Sequence, residues 1–218
     1  MAAPSSPEDI CNLALDDLKQ LPIKSITTPN SNTEQVCARN YDATRRECLF
    51  AHPWKFAIKR DQWTPNLTTS PLFGYLYAYD VPVDYIRLIT VGDDYLGDLR
   101  QQYEVENNQL LAVSGDVIFD GTTKDVRYMH DVTDVTKFSP GFVTYFRLKL
   151  AVRMSNKFNV STQIKAGLKE DFKDAETEAR AINGQESKIK RIQFSRTLSK
   201  RRGLPGGIYA SKYTIFES

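Results

Sequence analysis

The chain has 218 residues, 41% of them hydrophobic and 26% charged, with a formal net charge of +2. That composition fits one good-sized globular domain or two small ones and excludes a fibre or a charged disordered tail. No apolar run approaches the eighteen or so residues a membrane helix needs, and Met1–Pro7 lacks the basic and apolar regions of a signal peptide.

The charge is unevenly spread. Residues 72–136 carry 4 basic and 12 acidic groups, whereas residues 186–202 carry 7 basic and 1 acidic. An acidic middle and a basic end suggest contact between unlike surfaces, often on different subunits. The three cysteines, Cys11, Cys37 and Cys48, are odd in number and form no CxxC pair. They argue against a disulfide framework or a zinc site and read as small buried thiols in a reducing cytoplasm.

Ser6, Pro7, Glu8 and Asp9 punctuate the start of a first helix. Its apolar face is predicted to be Ile10, Leu13, Ala14, Leu18 and Leu21, with Pro22 as the stop. The polar run Thr27–Thr33 reads as a loop. A second helix is expected from Asn32 to Ala51, with Val36, Tyr41, Thr44, Cys48 and Ala51 near one face. Arg39, Arg45, Arg46 and Glu47 mark its wetter side, and Pro53 closes it.

Residues 54–136 alternate Val, Ile and Tyr with polar residues. Strands are predicted at Trp54–Arg60, Tyr85–Val91, Tyr103–Glu106, Gln109–Val113, Val117–Phe119 and Val126–Met129. Asn107-Asn108 and Asp120-Gly121 are hairpin-turn candidates. Trp54 and Phe56, alternating inward from a strand, are predicted to wedge the helices against the sheet. Ser139-Pro140 then opens a third helix with Val143, Phe146, Leu150, Met154 and Phe158 on one face. Ser161 opens a fourth, with Ile164, Leu168, Phe172, Ala175, Ala179 and Ile182, and Asn183-Gly184 is its expected stop. Beyond it, basic residues alternate with Ile189, Ile192, Phe194 and Leu198. Gly203–Gly207 reads as a hinge, and the end is aromatic. The fold class this implies is α+β. An antiparallel four-helix bundle (1–53 and 137–185) holds a small inserted antiparallel β domain (54–136), and an extended C-terminal arm (186–218) adds to another surface.

No catalytic motif of the HExxH, GxSxG, CxxC or Walker kind occurs. His52, at a helix end, reads as structural, and His130, beside Asp131, as a surface residue. No cofactor is expected. Asp-rich loops such as Asp93-Asp94 read as solvated turns, although a glycan hydrolase would need only two carboxylates at a set separation. The basic tract 188–202 suits protein contact, with DNA contact as the rival reading. An acidic β region would repel a phosphate backbone, as suits a passage through which DNA slides.

Three stretches carry a resemblance. They are Ile10-Cys-Asn-Leu-Ala-Leu15, Val36-Cys-Ala-Arg-Asn-Tyr-Asp-Ala-Thr-Arg-Arg46 and Leu49-Phe-Ala-His-Pro-Trp-Lys-Phe-Ala57, followed by a β region and two helices. Together they resemble the tail tubular protein A family, the head-to-tail adaptors of short-tailed bacteriophages. The resemblance implies a non-enzymatic virion protein of the tail or neck, made in the host cytoplasm. Twelve copies would form a ring beneath the portal protein and above the tail nozzle protein. Double-stranded DNA would pass through the lumen during genome ejection without sequence-specific binding. It further implies that the arm reaches the portal through Arg201, Arg202, Tyr209, Tyr213 and Phe216, and that loops carrying Asp93, Asp94, Tyr95 and Asp98 meet the nozzle. The alternatives are a glycan hydrolase associated with the phage tail and a DNA-binding accessory protein that uses the basic tract.

Overall fold

The computed structural model describes residues 4–66, 68, 71–91, 103–112 and 123–186. Among them the protein is a mixed α/β molecule of four helices and two small antiparallel sheets. Helix α1 (Pro7–Asp17) begins in a capping box, with Ser6 Oγ accepting from Asp9 N–H and the Asp9 carboxylate accepting from Ser6 N–H. Lys19 adopts φ 55° and turns the chain out of the helix. Leu21, expected on the buried face, is therefore carried off it and stands exposed. Helix α2 (Asn32–Ala51) opens with a second box, Ser31 and Glu34. The Glu34 carboxylate also accepts from Lys24 and Asn30 N–H at 3.2 and 2.7 Å, so one buried acid organises the polar loop before the helix.

Arg45 departs from its expected wet position. Its side chain is only 4% exposed. Its guanidinium donates to the Asp131 carboxylate and, at 2.6 Å, to the Val132 carbonyl, with Asp42 at 3.3 Å. A buried cation needs such partners, and these bolt α2 to the segment leaving the sheet. Ala51, expected inside, is exposed.

Helix α3 (Pro140–Met154) is capped by Ser139 and buries Phe142, Val143, Tyr145, Phe146, Leu148, Leu150, Ala151 and Met154. An element apolar on so many sides must be surrounded. It packs against α1, α2 and α4 (Thr162–Gln185). Gly141 permits a close approach, since a Cβ there would lie 3.3 Å from Ala179 Cα. Phe158 falls beyond α3 and is half-buried. Helix α4 presents Leu168, Phe172, Ala175 and Ala179 to the core, while Ile182 is exposed. It ends at Gln185, one residue past the predicted Asn183-Gly184 stop.

Residues Lys55–Ala57 form a short 3-10 turn rather than a strand, so β1 starts later than expected and covers Ile58–Trp63. Strand β2 (Tyr77–Asp80) was not anticipated. Next come β3 (Tyr85–Val91), β4 (Tyr103–Glu106), β5 (Gln109–Ala112) and β6 (Lys124–His130). The sheets have orders β1-β6-β3 and β2-β5-β4. Asn107 and Asn108 take φ of 46° and 59° and make the tight turn between β4 and β5, the conformation that suits the twist of a two-residue hairpin. The predicted strand Val117–Phe119 and turn Asp120-Gly121 lie outside the described residues.

Strand β3 does not alternate simply. Tyr85, Leu88 and Val91 face a core of Trp63, Tyr79, Leu110, Val126 and Tyr128, while Ile86 and Ile89 face the helices. That three-residue spacing is reconciled with a pleated strand by register shifts between Tyr85/Arg87 and Leu88/Thr90, each absorbing an extra residue. The β1-β6-β3 sheet thus has one face on a helical core that includes Trp54 and Met129 and the other on a second, aromatic core.

Candidate functional site

Helix α2 stops because His52 precedes proline and is forced extended, at φ −152° and ψ 146°. The chain turns there in an elbow. Trp54 drops inward, with its indole N–H donating at 2.8 Å to the Cys48 carbonyl, one of the acceptors the helix end leaves free. Its ring lies 5.1 Å from Phe142 and 5.6 Å from Tyr145. Phe56 lies 5.0 Å from Phe142 and 5.6 Å from Phe138. Both aromatic residues singled out in the sequence thus rest on α3 and the segment entering it, held by an elbow and a 3-10 turn instead of a strand.

Asn183 closes the elbow from α4. Its Oδ1 accepts Lys55 N–H at 2.9 Å, and its Nδ2 donates to the Pro53 carbonyl at 3.1 Å and meets His52 Nε2 at 2.9 Å. An amide nitrogen donating to Nε2 fixes the imidazole as neutral, with its proton on Nδ1. Burial, then the positive charges of Arg180, Arg87 and Lys55, hold His52 below its ordinary range. The Arg87 guanidinium lies over the Phe50 ring at 5.6 Å, and Phe50 is 55% exposed. The elbow is therefore a cationic surface with an aromatic ring in it, built from the end of α2, β3 and the end of α4. Asn183, Arg87 and Arg180 carry no motif. Local charge does not mark them either, since Arg180 sits among Glu176, Glu178 and Glu186 and Arg87 follows Asp84.

A second surface lies on the β2-β5-β4 sheet. Strand β4 forms its edge, and Tyr103, Glu104, Val105 and Glu106 are all exposed. Next to it the loop before β2 carries Leu72 and Phe73, 97% and 87% exposed. Gly74 turns this loop at φ 82°. It is pinned by Tyr75, whose hydroxyl donates to Glu104 at 2.9 Å, and by Leu76 N–H on the Ala112 carbonyl at 3.2 Å. The Glu104 carboxylate beside Tyr75 pushes that phenol up. The result is an acidic lobe with an apolar tip. The signal for it in sequence is two large apolar residues between Pro71 and Gly74, where a loop is expected to be polar.

An open hollow of about 590 Å³ is lined by Asp61, Gln62, Trp63, Thr64, Asn66 and Asp80. Both oxygens of Asp80 are engaged, by Asn66 Nδ2 at 2.7 Å and Gln109 Nε2 at 2.8 Å, which holds this carboxylate as a brace between loop and strand. His130 is not a surface turn residue. It ends β6 opposite Tyr85, with Nδ1 2.9 Å from the Ala57 carbonyl. Cys11, Cys37 and Cys48 are all free and buried. Among the described residues, no group of three or more His, Cys, Asp or Glu is placed to hold a metal ion, and no helix is long and apolar enough to cross a membrane. Asp93, Asp94, Tyr95 and Asp98, and the arm residues Arg201, Arg202, Tyr209, Tyr213 and Phe216, lie outside the described residues. No protein-family model matches the chain, and a search of curated proteins finds no match.

Proposed function

We propose that this protein is a structural adaptor of the tail tubular protein A kind, a ring-forming virion component between the portal and the tail nozzle of a short-tailed phage. The observation that carries the reading is the run from Asn32 to Ala57, in which Tyr41, Arg45 and Arg46 on α2 lead into the Pro53-Trp54-Lys55-Phe56-Ala57 elbow. Arg45 ties α2 to the end of β6, and Trp54 packs the end of α2 onto α3, so both carry the joint on which such a subunit would depend. The separated charges and the exposed apolar loop add support, because such surfaces have partners more often than they face water.

On this reading the four helices are a bundle carrying the β sheets as an insertion. The protein is not an enzyme and uses no cofactor. About twelve copies surround the passing DNA, as the resemblance implies, and the acidic β region repels the phosphate backbone. The arm meets the portal through Arg201, Arg202, Tyr209, Tyr213 and Phe216, and Asp93, Asp94, Tyr95 and Asp98 meet the nozzle. The test is electron microscopy of the protein mixed with the portal of its phage. A ring stacked on the portal is the expected image. Portal particles left bare at saturating protein would end the reading.

A further inference from the structure

Two surfaces of the described residues are left without a partner, and they are complementary. At the elbow Lys55, Arg87 and Arg180 lie near enough to act on His52, and the Arg87 guanidinium covers the exposed Phe50 ring. The acid in contact with these cations is Glu176, whose Oε1 takes Arg180 Nη2 at 2.5 Å. The β4 lobe presents Glu104 and Glu106 on one face of the strand, where Tyr75 of the apolar tip loop bonds Glu104, while Tyr103 and Val105 point to the opposite face. Two elbows facing each other would set cation against cation, and two lobes acid against acid, so a two-fold self-contact through either surface is repulsive. Elbow against lobe joins unlike charges and unites the apolar parts of both. A contact of that kind is heterologous and propagates head to tail until it closes.

We propose that the α2–α4 elbow of one copy receives the β4 lobe of the next copy. This rests on the adaptor reading above and deepens it by assigning the two faces of the subunit contact. The exposed aromatic ring under Arg87 favours a protein occupant over a nucleic acid backbone, since interface centres are enriched in aromatic residues and Arg. Among the described residues no strand pairs with the outer edge of β4, an edge that a neighbouring chain can extend.

The experiment uses full-length chains in sedimentation velocity over a concentration series. Arg87→Glu with Arg180→Glu reverses the elbow, and Glu104→Lys with Glu106→Lys reverses the lobe. Each variant alone is expected to associate at least tenfold more weakly than wild type. Their equimolar mixture is expected to assemble again, since each then supplies the surface the other needs. Phe50→Ser and Phe73→Ser, at exposed positions, are expected to weaken association with circular dichroism unchanged, which separates contact from misfolding. Variants that assemble like wild type, or a mixture that stays dissociated while both components are folded, overturn the proposal but leave the adaptor reading standing on the portal micrograph. A wild-type chain that stays monomeric throughout also overturns it. So does an elbow variant that loses salt-sensitive binding to duplex DNA while assembling normally, which would assign the elbow to nucleic acid.

Discussion

Replacing Arg45 by Met keeps most of the side chain's volume and removes its charge. The substitution strips the Asp131 carboxylate of its buried cation and leaves the Val132 carbonyl without the 2.6 Å donor. Breaking a buried ion pair by removing one partner costs about 3–5 kcal/mol. The lower end applies, because Asp131 is 20% exposed and Arg46 Nε lies 3.6 Å from its other oxygen, leaving it partly compensated. A loss of about 3 kcal/mol is expected, which in a chain of this size lowers the melting temperature by roughly 6–12 °C. Urea denaturation gives the free energy, and a cycle with Asp131→Asn isolates the pair. Removing Arg45 should cost at least about 1 kcal/mol less when Asp131 is already Asn. A change under about 0.5 kcal/mol for Arg45→Met, or equal losses in both backgrounds, would refute the claim that this arginine joins α2 to the end of β6.

Further outcomes concern the elbow and the glycines of α3 and α4. Asn183→Ala removes three polar contacts at the elbow and should cost about 2 kcal/mol, read as a lowered urea midpoint with the slope unchanged. Because His52 is held below its ordinary value near 6.5, the unfolded chain takes up its proton first. Stability should therefore be full above about pH 6.5 and fall as pH drops through and below that value. His52→Gln should flatten that part of a pH–stability profile. Gly141→Leu should force α3 from Ala179 and cost about 1–3 kcal/mol, whereas Gly167→Ala, with open space at its Cβ position, should be neutral or slightly stabilising in thermal melts.

The helices were legible because their signals are local. Ser6, Ser139 and Ser161 each cap a helix by accepting a first-turn N–H, and Pro53 stops α2 by steric restriction of His52. Asn107-Asn108 was legible for the same reason. What the pattern hid depends on partners distant in the chain. Arg45 looks like a solvated arginine until Asp131 and Val132, over eighty positions later, are brought beside it. The Asn183-Gly184 stop was legible to within a residue, since α4 ends at Gln185, but the bonds of the Asn183 side chain to the elbow at Pro53 and Lys55 were not. In β3 the two bulges replace alternation with a three-residue spacing, so the strand could be found while its facing could not. Of the two surfaces at the candidate site, the acidic one was legible as a charge excess. The cationic one was not, because Lys55, Arg87 and Arg180 are assembled from three separate elements.

The chain's two tryptophans fall one in each core, Trp54 among the helices and Trp63 against Tyr85 and Tyr128. The molecule thus carries its own pair of fluorescent reporters, already sorted by region. Substituting either with Phe leaves a single emitter, and comparing the two melting curves tells whether the halves divided by the β1-β6-β3 sheet lose their order together or in sequence.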